Sequence, residues 1–421
     1  MRFITKKRKI DFSLYGVSQL INLLAPVLLL PHIVNVCGES GLGKAGVGFS
    51  IALILNSVID YGSYVLGVRE ISINRDNRDK LNKLFFAIYS AKTYLLIGVT
   101  VFYLVLISTI PYFNQEFALY LLSFAIVIGQ FLNPAWFLQG VENFKWLSFM
   151  TIFSKLFYIF GVLFFVSSID DYVYVNLSFG LGMILSSLFV IGLIIKKYKF
   201  QRGRFDFIRG RKIIKEEFSF SLSQFFLSVH QYIPIFIVSV VLGDAASGIY
   251  KIIDQVLSVF KTYLNMVFYF LYSNICNEIN LNIKNGIKTW FKYNLLSQSF
   301  LFILMVTCFV FAEKIMMYIT KNVEDIEGHV VLFQWSLLIV FILSFSAPLK
   351  QLVFAFQKSK AYVRITIIAT FANIFLLFFL TNAYDLFGAI VASIIIETLV
   401  LITFAIILKE KLSPNPFFNE V

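Results

Sequence analysis

Charged residues are scarce in this chain. Asp, Glu, Lys and Arg make up 14% of its 421 residues, whereas they make up about 25% of a typical soluble domain. Hydrophobic residues account for 59%, and the mean hydropathy is +0.81. This composition excludes a soluble globular protein and predicts an integral membrane protein with short loops.

Cysteine and histidine are also rare, with three residues of each. Only Cys37 lies near a predicted outer loop, so a disulfide framework is excluded, and the spacing of His and Cys fits no metal site. Five glycines lie close together in the first outer loop: Gly38, Gly41, Gly43, Gly46 and Gly48. They lack the Lys-Ser ending of an ATP-binding loop and predict a flexible turn. We therefore expect no cofactor, no catalytic site and no enzymatic activity.

Long apolar runs make up most of the chain, and twelve of them are long enough to cross a bilayer as helices. They are centred near Asn22, Leu53, Leu96, Ile126, Tyr158, Ile184, Pro234, Lys261, Met305, Phe341, Phe375 and Ile394. Barrel strands are excluded, because they would be about ten residues long and would alternate apolar with polar residues. The sequence predicts an all-α membrane protein with twelve transmembrane helices.

The basic residues behind the net charge of +12 are concentrated in every second loop. Basic residues concentrate before the first span, between spans two and three, and between Lys196 and Lys215, while the alternate loops hold few. By the positive-inside rule, both termini are predicted to be cytoplasmic. The charge is therefore a topology signal, and no nucleic-acid partner is expected.

The basic segment from Lys196 to Lys215 divides the chain into two predicted bundles of six helices, residues 1–200 and 201–421. A shift of 205 positions aligns parts of the two halves. The matches are Ser18-Gln19 with Ser223-Gln224, Gly38-Glu39 with Gly243-Asp244, and Gly43 with Gly248. Because six is an even number of spans, both halves run in the same direction, and we expect two bundles that face each other across a cleft.

The eighth span carries charged and polar residues on one helical face. Lys251, Asp254, Ser258, Lys261 and Asn265 recur there at steps of three and four, which places them on one side of a helix. A Lys or Asp at bilayer depth costs about 2.5–3.5 kcal/mol on insertion scales, so this face should contact protein or water. Lys261 and Asp254 are candidate substrate-binding residues. The alternative is a tilted helix in which Lys251 snorkels and Asp254 pairs with a neighbour.

Two further lysines, Lys92 and Lys155, lie about 12 Å inside the predicted cytoplasmic ends of spans three and five. Together with Lys261 they favour an anionic substrate, such as a phosphorylated lipid or an acidic sugar. A structural ion pair or a snorkelling side chain is the alternative for Lys92 and Lys155.

Polar residues in other spans extend the candidate site. Gln19 and Asn22 in span one and Gln224 in span seven either contact substrate or join helices. Asp60 in span two is a candidate for substrate binding or ion coupling. Glu397 in span twelve either carries a coupling proton or is a buried neutral acid bonded to Ser393.

Four blocks within the first 145 residues form a known pattern. They are Tyr15-Gly16 with Gln19, Asn22, Pro26, Pro31 and Gly38; Asp60-Tyr61-Gly62; Arg69-Glu70-Ile71; and Pro134, Trp136-Phe137, Gln139-Gly140, Glu142 and Lys145. In these blocks the chain resembles the Wzx-type O-antigen flippases, the polysaccharide-transporter branch of the multidrug/oligosaccharidyl-lipid/polysaccharide exporter (MOP) superfamily. His32 and Cys37 depart from the pattern.

The resemblance implies a MATE-like fold and a flippase in the bacterial inner membrane. Such a flippase moves an undecaprenyl-pyrophosphate-linked sugar repeat unit from the cytoplasmic to the periplasmic leaflet by alternating access. The implied partners are this lipid-linked oligosaccharide and membrane lipid, with a polysaccharide polymerase and a chain-length regulator as candidate protein partners.

The resemblance also draws attention to Arg69, Glu70, Glu142 and Lys145, which lie at predicted cytoplasmic ends of spans. They are candidates for a gate or a headgroup entry site. Ordinary topology-setting charge and helix capping are the alternative for all four residues.

Two other functions compete. A small-molecule antiporter of the same superfamily would use Asp60, Asp254 or Glu397 to bind a cation or a proton. A membrane enzyme that polymerises or ligates lipid-linked sugars would need a large outer loop, and the longest here, from Glu313 to Gly328, is short.

Overall fold

A computed structural model describes residues 6–61, 63, 67–200, 206–320 and 326–412. Gly62 of the second motif block, residues 201–205 of the basic segment and residues 321–325 of the longest outer loop lie outside these described residues. The described chain is helical and contains no strand, which confirms the predicted all-α class.

The chain clusters into two compact units, residues 1–236 and 237–421. The helices that begin in the first unit are α1 (Lys6–Asp60), α2 (Val68–Ile73), α3 (Arg78–Thr109), α4 (Pro111–Asn114), α5 (Phe117–Leu132), α6 (Ala135–Gly140), α7 (Phe144–Phe165), α8 (Val173–Tyr198) and α9 (Phe207–Leu242). A 3-10 turn, Ile169–Tyr172, precedes α8. The remaining helices are α10 (Asp244–Leu281), α11 (Ile283–Val310), α12 (Ala312–Thr320), α13 (Ile326–Ala355) and α14 (Ser359–Leu412). The predicted domain boundary at residue 200 stays a prediction.

Nine of the described helices are long and apolar enough to cross a membrane. Two of them, Leu14–Asp60 within α1 and Ser359–Lys409 within α14, contain 47 and 51 residues, whereas one crossing needs about 20. Each has one break in its helical backbone, at Gly38 in α1 and at Tyr384-Asp385 in α14. Both helices are therefore long enough for two crossings.

The predicted flexible glycine turn in the first outer loop is wrong. Only Gly38 leaves the helical conformation (φ 71°, ψ 177°), and α1 continues through the next four glycines to Asp60. A Cβ on Gly48 would lie 2.8 Å from Ser123 Oγ, and one on Gly41 would lie 3.3 Å from Tyr172 Cβ. These two glycines let neighbouring helices approach α1 closely, as small residues do in membrane proteins.

The two halves share local structure at the predicted offset of 205 residues. Gly243 has nearly the same backbone conformation (φ 89°, ψ 178°) as Gly38, in a region that glycine alone adopts readily. The Ser18 hydroxyl donates to Tyr15 O at 2.7 Å, and the Ser223 hydroxyl donates to Phe220 O at 2.6 Å. These matched features support the internal repeat.

A buried apolar cluster in the first unit includes three residues of the motif blocks, Ile71, Trp136 and Phe137. Ile71, Phe85, Trp136 and Phe137 are almost fully buried in it. A Cβ on Gly140 would lie 2.6 Å from Ile71, so α6 and α2 are in contact at this glycine. These three motif residues and Gly140 therefore serve packing.

Side-chain amides join two helices of the second unit. Pro348 in α13 cannot donate to Ser344 O, four residues earlier, and Gln298 Nε2 donates to that carbonyl at 2.8 Å. Asn294 Nδ2 donates to Gln351 Oε1 at 3.0 Å. These contacts join α11 to α13.

Candidate functional site

Asp60 and Lys92 meet inside the first unit. Asp60 ends α1, Lys92 lies in α3, and Lys92 Nζ is 3.7 Å from Asp60 Oδ1. Gln130 of α5 donates to both Asp60 oxygens at 2.8 Å. The Lys92 side chain is 2% exposed. Since an isolated charge inside a protein is costly, the carboxylate and the ammonium stabilise each other here.

This ion pair borders a cavity of about 470 Å³. The end of α1 and the segment after it supply one wall, α3 supplies a second, and the first turns of α9 supply a third. The lining residues are Asp60, Tyr61, Ser63, Gly67, Glu70, Leu84, Ile88, Ala91, Lys92, Leu95, Arg209, Lys212, Ile213, Glu216 and Glu217. Tyr61 OH donates to Ile214 O at 2.7 Å and so joins the end of α1 to α9.

Glu217 lies beside this cavity, ahead of the apolar part of α9. Burial, and secondarily the neighbouring carboxylate of Glu216, raise the pKa of Glu217 above its ordinary value. Both effects disfavour the charged form of the Glu217 carboxyl group.

Lys155 has a different environment. It is buried in α7, and its Nζ lies 3.8 Å from the ring centroid of Phe179 and 5.9 Å from that of Tyr158. In the part of the chain that the structure describes, no carboxylate forms an ion pair with Lys155. Aromatic faces stabilise this cation instead.

The predicted charged stripe of the second unit lies on α10. Lys261 Nζ donates to Asp254 Oδ1 at 2.9 Å, and their side chains are 27% and 28% exposed. Asp254 also interacts electrostatically with Lys251, and Lys261 with Glu397 of α14. The structure thus brings the two predicted charges of α10 together and places the α14 carboxylate within electrostatic range.

The predicted uncharged candidates differ in their exposure. Gln19 and Gln224 are half-buried, and Asn22 is exposed. In the same polar stripe as Gln224, Ser228 donates its hydroxyl to Leu53 O at 3.3 Å and so joins α9 to α1. At least part of this stripe therefore connects helices.

The four candidate gate residues form two groups. Glu70 lines the cavity, and Arg69 is exposed nearby in α2. Glu142 pairs with Arg75 at 3.2 Å, and Lys145 is exposed. Arg75, which the sequence did not single out, ties the segment after α2 to the segment after α6.

A polar cluster at the other end of the first unit was not predicted. Lys44 of α1 and Tyr172 of the 3-10 turn both donate to the Glu116 carboxylate, which precedes α5. His32 Nε2 lies 3.0 Å from Val166 O, where α7 ends. These contacts join α1, the segment before α5 and the segment after α7, which are far apart in the sequence.

Comparison with known proteins assigns the chain to a family. The family described as "Polysaccharide biosynthesis protein" matches residues 10–272, which include the motif blocks and the α10 charged pair. The chain belongs to this family. A relative from Escherichia coli (strain K12), named "Putative O-antigen transporter", is 22% identical over 391 residues, covering 91% of this chain and 92% of the relative. These matches confirm the resemblance drawn from the motif residues.

Solved structures show which fold this member of the polysaccharide biosynthesis family adopts. One titled "Lipid II flippase MurJ, inward closed conformation" has a TM-score of 0.67 and 15% identity, covering 95% of this chain and 87% of that one. An inward-facing multidrug resistance MATE family transporter of the MOP superfamily has a TM-score of 0.65 and 13% identity, covering 96% and 99%. At such identities the likeness establishes the fold alone.

Proposed function

We propose that this protein is a flippase for lipid-linked polysaccharide intermediates. Its substrate is an undecaprenyl-pyrophosphate-linked O-antigen or related repeat unit, moved from the cytoplasmic to the periplasmic leaflet of a bacterial inner membrane by alternating access. The name of the Escherichia coli relative and the fold shared with a lipid II flippase support this. The observation that carries the proposal is the set of buried or half-buried lysines within apolar helices, in a member of a polysaccharide biosynthesis family.

The proposed topology has twelve spans and cytoplasmic termini. Counting α10, with its charged stripe, and a second crossing in each of the two long helices gives the twelve spans. The distribution of Lys and Arg supports the orientation. Two six-helix bundles, residues 1–200 and 201–421, complete this arrangement.

Lys92, Lys155 and Lys261 are the proposed contacts for pyrophosphate or acidic sugar. Because Lys92 and Lys261 are paired with Asp60 and Asp254, a bound phosphate would take the place of a carboxylate as the partner of the lysine. The released carboxylate could then accept a proton, which would link substrate binding to ion movement.

The remaining predicted residues have supporting roles in the proposal. Gln19, Asn22 and Gln224 contact the sugar, and Glu397 acts with Asp60 in ion coupling. Arg69, Glu70, Glu142 and Lys145 are the proposed gate or headgroup entry residues. A polysaccharide polymerase and a chain-length regulator are the proposed protein partners, because they would act on the same repeat unit and its product.

A cation- or proton-coupled small-molecule antiporter is the second candidate. The observation that favours it is the presence of Asp60 and Asp254 inside apolar helices, since intramembrane carboxylates commonly mark ion pathways. In that case neutralising either carboxylate would abolish drug resistance while surface polysaccharide stayed normal.

Deletion of the gene in its host, followed by complementation, tests the proposal. We expect loss of surface polysaccharide and accumulation of lipid-linked repeat units, with rescue by wild type and by Lys288→Ala, an exposed lysine of α11. Lys261→Ala, at equal membrane abundance, should not rescue. Normal surface polysaccharide in the deletion strain, with no second flippase present, would reject the proposal.

A further inference from the structure

The α9 wall of the first-unit cavity carries charges of both signs. Its lining residues follow Arg209 at steps of three, four, seven and eight, which places them on one helical face. They are Arg209, Lys212, Ile213, Glu216 and Glu217. Lys212 and Glu216 pair with each other at 3.7 Å. Lys92 and Asp60, which also line the cavity, likewise pair with each other.

Three charges around the cavity remain after these pairs are set aside. They are the Arg209 cation on α9 and the carboxylates of Glu217 and Glu70, none of which forms an ion pair among the described residues. A simple anion would meet one cation and two carboxylates here. A simple cation would leave Arg209 without a partner. A ligand that carries both an anionic and a cationic group satisfies both signs.

The cavity also has an apolar wall. Leu84, Ile88, Ala91 and Leu95 line it from α3, at a spacing that places all four on one helical face. Gly210 brings α9 against α3, since a Cβ there would lie 2.9 Å from Ala91 N. An amphiphilic ligand would therefore find charged groups on α9 and aliphatic side chains on α3.

One buried hydroxyl in this cavity lacks a partner. Ser63 is 6% exposed and lines the cavity, and its Oγ makes no hydrogen bond to the part of the chain that the structure describes. A buried hydroxyl without a hydrogen bond is costly and unusual in native proteins. A ligand oxygen in the cavity would supply the missing acceptor.

We propose that this cavity is a binding site for a zwitterionic membrane phospholipid with a primary amine in its head group, of the phosphatidylethanolamine type. Arg209 and the Ser63 hydroxyl bind the phosphate, and Glu217 with Glu70 accepts hydrogen bonds from the ammonium. The aliphatic residues of α3 contact the lipid chain. The site goes beyond the proposed transport function, because its ligand is a resident lipid and not the transported one. Glu70, a proposed gate residue, is the one ligand-contacting residue that the two proposals share.

The electrostatics of Glu217 agree with this assignment. Burial and Glu216 raise the pKa of Glu217, and a bound ammonium would reverse that effect by favouring the charged carboxylate. Lys92 already has Asp60 as its partner and is assigned to pyrophosphate in the proposed function, so the lipid site is assigned to Arg209, Ser63, Glu217 and Glu70. Lipid binding and a Lys92–pyrophosphate contact therefore depend on different residues.

Native mass spectrometry of the full-length, delipidated protein tests the site with three probes: phosphatidylethanolamine, phosphatidylglycerol and a short-chain polyprenyl pyrophosphate. Wild type should bind phosphatidylethanolamine about tenfold more tightly than phosphatidylglycerol. Glu217→Gln should remove that preference, and Arg209→Gln should weaken both phospholipids. Lys215→Gln is the matched control, since Lys215 is exposed on the same helix and does not line the cavity.

Three results would overturn the assignment. Equal binding of the two phospholipids would show that the amine is not recognised. An effect of Glu217→Gln no larger than that of Lys215→Gln would place the lipid elsewhere. Displacement of phosphatidylethanolamine by the polyprenyl pyrophosphate, lost in Lys92→Ala, would make the cavity part of the transport site. Equal unfolding temperatures of the variants would exclude misfolding as the cause of any loss.

Discussion

At the scale of single residues, each unit holds a lysine–aspartate pair within apolar helices. The Lys92–Asp60 pair joins two helices and is almost inaccessible on its lysine side, whereas Lys261 and Asp254 lie two turns apart on one helix and are each more than a quarter exposed. Removing one member of a buried pair leaves an uncompensated charge. Removal of one member should therefore destabilise the protein more than removal of both members.

Lys261 and Asp254 allow this to be measured. Lys261→Ala or Asp254→Asn alone should lower the free energy of unfolding by about 1–3 kcal/mol, between the values for exposed and fully buried pairs. The double variant should lose less than the sum of the two single variants, because neither member of this pair is left without the other. Thermal unfolding of the purified protein in detergent provides the values.

Function should separate from stability in the same series. The double variant recovers folding but lacks the cation that the proposal assigns to the substrate, so surface polysaccharide should stay absent. A double variant that restores the polysaccharide would show that the pair is structural. Lys261 would then no longer be assigned to substrate binding.

The pair on α10 could be predicted from spacing because residues seven apart fall on one helical face. The partners of Lys92 and Lys155 could not be predicted from spacing. Gln130 and Phe179 are distant in sequence from the groups that they contact, and only the packing of α5 and α8 brings them there. A lone Gln in an otherwise apolar helix was the one available signal for Gln130.

At the scale of elements, the motif blocks of α2 and α6 are joined by close packing. The Gly140 position has no room for a side chain, since a Cβ would meet Ile71 at 2.6 Å and Val68 O at 3.0 Å. Gly98 in α3 is the opposite case, with no atom within 4 Å of the corresponding position. The two glycines form a matched test of this packing.

We expect Gly140→Ala to reduce the free energy of unfolding by about 1–3 kcal/mol, as overpacking does. Gly98→Ala should be neutral or stabilising by up to about 1 kcal/mol, because alanine favours the helix and meets no neighbour. The unfolding temperatures of both variants measure these two effects. A similar effect at both positions would mean that α2 and α6 are not packed as described.

The first outer loop shows where sequence reasoning failed for a physical reason. A run of glycines suggests a turn, but glycine in a helix interior costs only about 1 kcal/mol relative to alanine. Close contacts with α5 near Gly48 and with the 3-10 turn near Gly41 outweigh this cost. The helix therefore continues, and Gly38 alone, with its positive φ, supplies the break.

At the scale of the whole molecule, the twelve-span arrangement makes opposite predictions for two exposed positions. Ser168 precedes the 3-10 turn between α7 and α8, and Asp76 lies between α2 and α3. In the proposed topology, Ser168 faces the periplasm and Asp76 faces the cytoplasm. A membrane-impermeant thiol reagent distinguishes the two sides.

We expect this reagent to label Ser168→Cys but not Asp76→Cys in spheroplasts, in a background where Cys37, Cys276 and Cys308 are replaced by serine. Both positions should be labelled after the membrane is permeabilised. Labelling of Asp76→Cys alone before permeabilisation would invert the proposed orientation, and labelling of both would contradict an odd number of crossings between them.

Transport of the lipid-linked substrate is the central claim, and a proteoliposome assay tests it most directly. Purified protein is reconstituted into vesicles that carry an undecaprenyl-pyrophosphate-linked oligosaccharide in both leaflets, and a glycosidase added outside reports the accessible sugar. The flippase proposal predicts that the sugar of the inner leaflet also becomes accessible with wild type, and much more slowly with Lys261→Ala. Accessibility confined to the outer-leaflet fraction, as in protein-free vesicles, under every imposed ion gradient would contradict the proposal.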